Sequence, residues 1–137
     1  MRKILYATCL TLLLSGHCWA LDANNVTVDV LAKTASSWNG AILPFYLKGQ
    51  PEVTILKILI PPHVQLPLHQ HPVINAGVLL QGELTVETKE GKILHLKAGD
   101  PIIEVVNTWH YGINEGDEPA EIIVFYAGIQ DESITIK

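Results

Sequence analysis

After its first twenty residues the chain shows no sustained apolar repeat at helical spacing. Short runs rich in Val, Ile, Thr and Tyr recur instead between turn signals, the pattern expected of β-strands. Residues 26–31 alternate apolar and polar positions, 53–60 alternate more loosely, and 76–80, 84–88 and 93–96 follow in quick succession. Residues 102–106, the neighbourhood of Ile113, 121–126 and 134–136 complete the predicted set.

Gln81-Gly82, Lys89-Glu90-Gly91-Lys92, Ala98-Gly99-Asp100-Pro101 and the stretch from Asn114 to Pro119 separate the later runs. Each carries a residue that takes positive φ or pins a turn, so each reads as a tight corner between antiparallel strands. Parallel strands would need helices between them. The even spacing therefore predicts an all-β single domain, a sandwich or a closed antiparallel barrel. Residues 33–51, with Trp38-Asn39-Gly40, two prolines and Gly49, are the least regular part and are expected to wrap the barrel or cover its mouth.

The N-terminus has a different character. A basic start, Met1-Arg2-Lys3, precedes a nearly unbroken apolar stretch to Leu14, and Cys18-Trp19-Ala20 ends on a small residue. This is the layout of a cleavable signal peptide over residues 1–20, with a mature domain at 21–137. The apolar stretch is about half of what a membrane span needs, so the mature chain is expected to be exported, to the periplasm or the extracellular medium, and to have no membrane partner after cleavage. Cys9 and Cys18 both fall in the removed segment, leaving a domain held by packing alone. Removing Arg2 and Lys3 from the 9 basic residues leaves 7 against 14 acidic ones, and the formal charge moves from -5 to -7. Such a surface repels phosphate backbones, which argues against nucleic acid as a partner.

The candidate chemistry lies in the histidines. In His69-Gln70-His71 the two imidazoles are two residues apart, and Pro67 and Pro72 disfavour helix on either side. On extended backbone both rings share a face and can bind one cation, although a solvated or packed pair has the same sequence. The wider spacing narrows the choice. His69, His71 and Gly82 stand at the separations of the first cupin motif, with Asn75 where that motif has a glutamate and His63 where it has its leading glycine. Gly99, His110 and Asn114 fall in register with the second motif, with Val105 and Asn107 in place of its proline and second glycine, and sixteen residues separate Gly82 from Gly99. From Pro61 to Asn114 the sequence thus resembles the cupin superfamily.

That resemblance implies a small single-domain cupin-type antiparallel β-barrel, jelly-roll-like, holding one divalent metal ion on His69, His71 and His110, with Asn75 as a weak ligand or a hydrogen-bond donor to substrate. Iron or manganese is favoured and zinc or nickel is possible, because imidazole binds all four. Three neutral imidazoles and an amide leave the ion's charge uncompensated, which favours a small anionic, oxygenated ligand. The implied function is a metal-dependent dioxygenase or isomerase; the alternative is a non-catalytic binding module for a small molecule or metal. A homodimer is expected, through 26–31 or through 122–126, an apolar run read as core or subunit interface. No catalytic residue is assigned: Glu104 is the nearest replacement base in sequence, and strand alternation leaves it either inside or outside the barrel. His63 is read as a solvated loop residue, His95 as a cross-strand packing residue, Trp109 and Tyr111 as pointing away from His110, and Trp38 and Tyr46 as lining the mouth or plugging the core. No cysteine nucleophile, phosphate-binding loop or nucleophile elbow is present in the mature chain.

Overall fold

The computed structural model describes residues 26–137; the predicted signal peptide lies outside the described residues. Seven strands appear in chain order: β1 (Pro51–Ile60), β2 (Ile74–Gln81), β3 (Glu83–Thr88), β4 (Ile93–Lys97), β5 (Pro101–Ile103), β6 (His110–Ile113) and β7 (Ala120–Ile129). They form a four-stranded sheet, β1-β7-β2-β5, and a three-stranded sheet, β4-β3-β6. Every strand pairing is antiparallel, and no helix occurs among the described residues.

The alternation of β7 shows why these residues form a two-sided sheet. Ala120, Ile122, Val124 and Tyr126 are buried, whereas Ile123 and Phe125 between them face outward, the period-2 signature of a strand with one face on a core. β7 pairs with β1 from Pro51↔Ile129 to Ile60↔Ala120 and with β2 on its other side. Its buried face, with Ile60, Leu79 and Ile102, packs against Leu84 and Val86 of β3 and Leu96 of β4. Burial of each such side chain contributes about 1.5–3 kcal/mol before chain entropy is subtracted.

Two predicted strands are not formed. Residues 26–31 pair with nothing, and Val26 and Val28 are more than four-fifths exposed; alternation alone makes no strand where no sheet edge receives it. Residues 134–136 contribute one bridge, Ile136↔Gln70. The strand expected over 102–106 stops at Ile103, because the Glu104 side chain turns back to accept the next backbone N–H, Val105 N to Oε1, at 2.9 Å. Beyond the break, Val106 pairs in parallel with His71.

The two motif glycines that the sequence replaces are informative. Gly82 and Gly99 have φ of 73° and 95°, and His63 and Asn107, which stand where the motifs have their other glycines, have φ of 60° and 51°. The left-handed turn is therefore kept at all four places. Asn tolerates it better than most residues and His less well than glycine. At Gly82 the demand is also steric, since a Cβ there would lie 2.7 Å from the Pro119 carbonyl oxygen. Urea unfolding should show Asn107→Gly raising stability by roughly 0.5 kcal/mol and Asn107→Val lowering it by about 1–2 kcal/mol. Equal stability of the two variants would contradict the assignment of strain to this turn.

Candidate metal centre

The segment between Pro67 and Pro72 joins the edges of the two sheets. His69 donates its backbone N–H to the His110 carbonyl at 2.9 Å and accepts from the His110 N–H at 2.9 Å, a doubly hydrogen-bonded antiparallel pair. Two residues on, the His71 carbonyl accepts from Asn107 N at 2.8 Å. Residues directly opposite in such a pair share a face, and so do residues two apart. The backbone register thus sends His69, His71 and His110 into one space, with ring centroids 4.5 to 5.1 Å apart.

Each ring is held by its Nδ1. His69 Nδ1 lies 2.7 Å from the Pro67 carbonyl oxygen, His71 Nδ1 2.8 Å from that of Ile134, and His110 Nδ1 2.8 Å from that of Thr108. A carbonyl only accepts, so each Nδ1 carries a proton, and in the neutral imidazole Nε2 is then the atom with the lone pair. The three rings offer ligand atoms within 4.8 Å of one another. Converging lone pairs repel, and a divalent ion, which binds imidazole at about 2.0–2.2 Å, turns that repulsion into coordination. The carbonyls are the outer partners that orient ligating histidines. The set fits a metal ion.

The space beside the rings is a cavity of about 60 Å³, room for roughly four waters. Its far wall is aliphatic, including Ile60, Leu84 and Val124, and its polar end is formed by the three histidines with Asn75, Glu104 and Tyr126. Asn75 is fully buried there, its Nδ2 donating weakly to the Val73 carbonyl at 3.4 Å. Glu104 faces inward: its Oε1 accepts from Trp38 Nε1 at 2.9 Å and lies 3.9 Å from His110 Nε2. His71 and His110 are buried and His69 is half-buried, so the site is approached on the His69 side.

A family model described as a cupin domain matches residues 56–126, from within β1 to within β7, about half of the chain. The chain belongs to the cupin family. Among solved structures the fold is similar to a cupin 2 conserved barrel domain protein from Salinispora arenicola, at TM-score 0.51 and 17% identity over 56% of this chain and 63% of that one. It is also similar to a protein with a double-stranded β-helix domain from Klebsiella pneumoniae, at TM-score 0.53 and 23% identity over 67% and 92% of the two chains. A third is a mutant salicylate 1,2-dioxygenase from Pseudoaminobacter salicylatoxidans, at TM-score 0.50 and 18% identity over 55% and 22%. The chain thus spans under two thirds of the Salinispora protein and about a fifth of the dioxygenase. No curated protein matches.

The remaining candidates fall outside this cupin's cavity. His63 is exposed beside Asp117, Nε2 to Oδ1 3.2 Å. His95 sits opposite Thr85 and shares a 2.9 Å hydrogen bond with it, Nδ1 to Oγ1. Tyr111 points away from the site and donates to Glu87 Oε2 at 2.6 Å, and Tyr46 is exposed. Tyr126 has a role the strand reading left undivided between core and interface: its ring meets that of His71 edge-on at 5.2 Å. The period-2 alternation of 122, 124 and 126 was the available signal.

Burial pushes His71 down to about 4, and it also lowers His69; in both, like-charged neighbouring rings add to the effect. The unfolded chain, with an ordinary value of 6.5, therefore takes up these protons first as the pH falls. For metal-free protein, urea titrations should show the His71 contribution intact above pH 6.5 and lost between 6.5 and about 4, at up to ~1.4 kcal/mol per pH unit for each proton. Stability that held level or rose across that window would contradict a neutral, buried His71.

Proposed function

We propose that this cupin holds one divalent metal ion on His69, His71 and His110 and uses it to bind a small, anionic, oxygenated molecule, which it turns over as a dioxygenase or isomerase. The observation that carries the reading is that all three Nδ1 atoms sit against carbonyl oxygens while the three rings offer ligand atoms within 4.8 Å of one another. Iron or manganese is favoured over zinc or nickel. The bound ion would supply Lewis acidity toward the substrate's oxygens at positions the three imidazoles leave open.

The protein's own groups do the rest. Among its described lining residues the cavity has no lysine or arginine, so an anionic group is drawn to the ion rather than to a side chain. Asn75 is a weak ligand or a hydrogen-bond donor to substrate. Tyr126, pushed up to about 12 by burial and by the nearby Glu104, keeps its proton and acts as a donor. A binding module without turnover is the second reading, favoured by Asn75 standing where a glutamate would supply a base. We also place the mature chain, from Leu21, outside the cytoplasm, in the periplasm or the medium, as a homodimer. The exposed apolar residues Val53, Ile55, Leu59 and Phe125 on the outer face of the four-stranded sheet support an interface there.

Protein purified from Leu21 should carry close to one equivalent of metal by mass spectrometry. His110→Ala and His69→Ala should each weaken binding by at least about 100-fold. Wild-type protein that binds no iron, manganese, zinc or nickel would overturn the metal reading.

A further inference from the structure

Three neutral imidazoles leave a divalent ion's charge uncompensated, and Asn75 adds none. One carboxylate nevertheless reaches the polar end of the cavity, from a different strand end than the one that carries Asn75. Glu104 follows β5, its side chain is 12% exposed, and its Oε1 stands 3.9 Å from His110 Nε2. With His110 Nδ1 held by the Thr108 carbonyl, it is Nε2 that this ring turns toward the carboxylate. At 3.9 Å the two atoms are beyond hydrogen-bond reach, a separation that suits two groups disposed about a shared cation.

The carboxylate is held there from outside the matched barrel. Residues 36–42 form a tight loop closed by the Ser36↔Ile42 bridge and docked on the end of β5. Trp38 N donates to the Ile103 carbonyl at 2.9 Å, Ser37 Oγ to the Glu104 carbonyl at 2.9 Å, and Trp38 Nε1 to Glu104 Oε1 at 2.9 Å. Val105 N donates to the same Oε1 at 2.9 Å. Both donors engage one oxygen, and Oε2 has no hydrogen-bond partner among the described residues, although the carboxylate lines the cavity. An indole N–H and a peptide N–H fix the group without neutralising it.

We infer that Glu104, positioned by Trp38, is the charge-compensating carboxylate of this centre and takes over the electrostatic task that Asn75 cannot perform. It stands beside the three-nitrogen cluster rather than within it, so it acts on the ion through space and through the hydrogen bond its free Oε2 offers to a water or ligand on the ion. Trp38 is a positioning residue.

The inference rests on the metal reading, and chelator-competition titration of cobalt(II) and manganese(II) separates the two. Glu104→Gln keeps an acceptor for Trp38 and Val105 and removes only the charge. It should weaken metal binding about 10- to 100-fold with little change in the urea midpoint of metal-free protein. Trp38→Phe should weaken binding by a smaller factor, and in wild type the Trp38 fluorescence should shift on metal addition. Wild-type affinity in Glu104→Gln, with binding abolished in His110→Ala, would overturn the role of Glu104 and leave the three-histidine centre standing. Absence of binding in wild type would overturn both.

Discussion

The structure of the site depends on one backbone pairing, the two-way hydrogen bond between His69 and His110. It ties a segment that belongs to neither sheet onto β6, and it fixes register so that the side chains of 69, 71 and 110 emerge on the same face. A slip of one residue would send the His69 and His71 rings outward. Pro67 and Pro72 keep the segment extended, and the parallel bridge from His71 to Val106 anchors its other end near β5. Closure of the barrel and assembly of the three rings are therefore the same event.

The electrostatics follow from that geometry. Once the rings converge, only one tautomer satisfies every donor: Nδ1–H to a local carbonyl, with Nε2 facing the cavity. For His69 and His110 the carbonyl lies two residues earlier in the chain, at Pro67 and Thr108, while His71 reaches across to Ile134 near the C-terminus. No side-chain polar atom fully buried among the described residues lacks a partner. The cost of the arrangement is three lone pairs brought together in a largely apolar pocket, a cost that falls when a cation enters.

Most of the barrel was legible in the chain because its strands have one buried face, and burial on one face writes period-2 alternation into sequence. Seven of the predicted runs became strands, and the histidine spacing picked out the three rings that the fold brings together. The failures have a physical basis. Residues 26–31 alternate as a strand does, but alternation reports side-chain chemistry and says nothing about whether an edge is free to pair. Glu104 was ambiguous because alternation carries phase only while a strand continues, and β5 ends one residue before it. Trp38 lay in a loop without periodicity; its link to Glu104 is a contact 66 residues apart in sequence. At 63 and 107 the replaced glycines looked like departures from the motif, yet the backbone kept its left-handed turns, so the substitutions changed side chains and left the path of the chain intact.

The most direct test of the account is X-ray absorption spectroscopy at the metal edge of protein loaded with one equivalent of manganese, iron or zinc. A three-histidine centre predicts an inner shell containing three imidazole nitrogens at about 2.0–2.2 Å, with multiple-scattering features of histidine rings that fall to two in His110→Ala. An inner shell of oxygen alone, or one unchanged by that substitution, would contradict it.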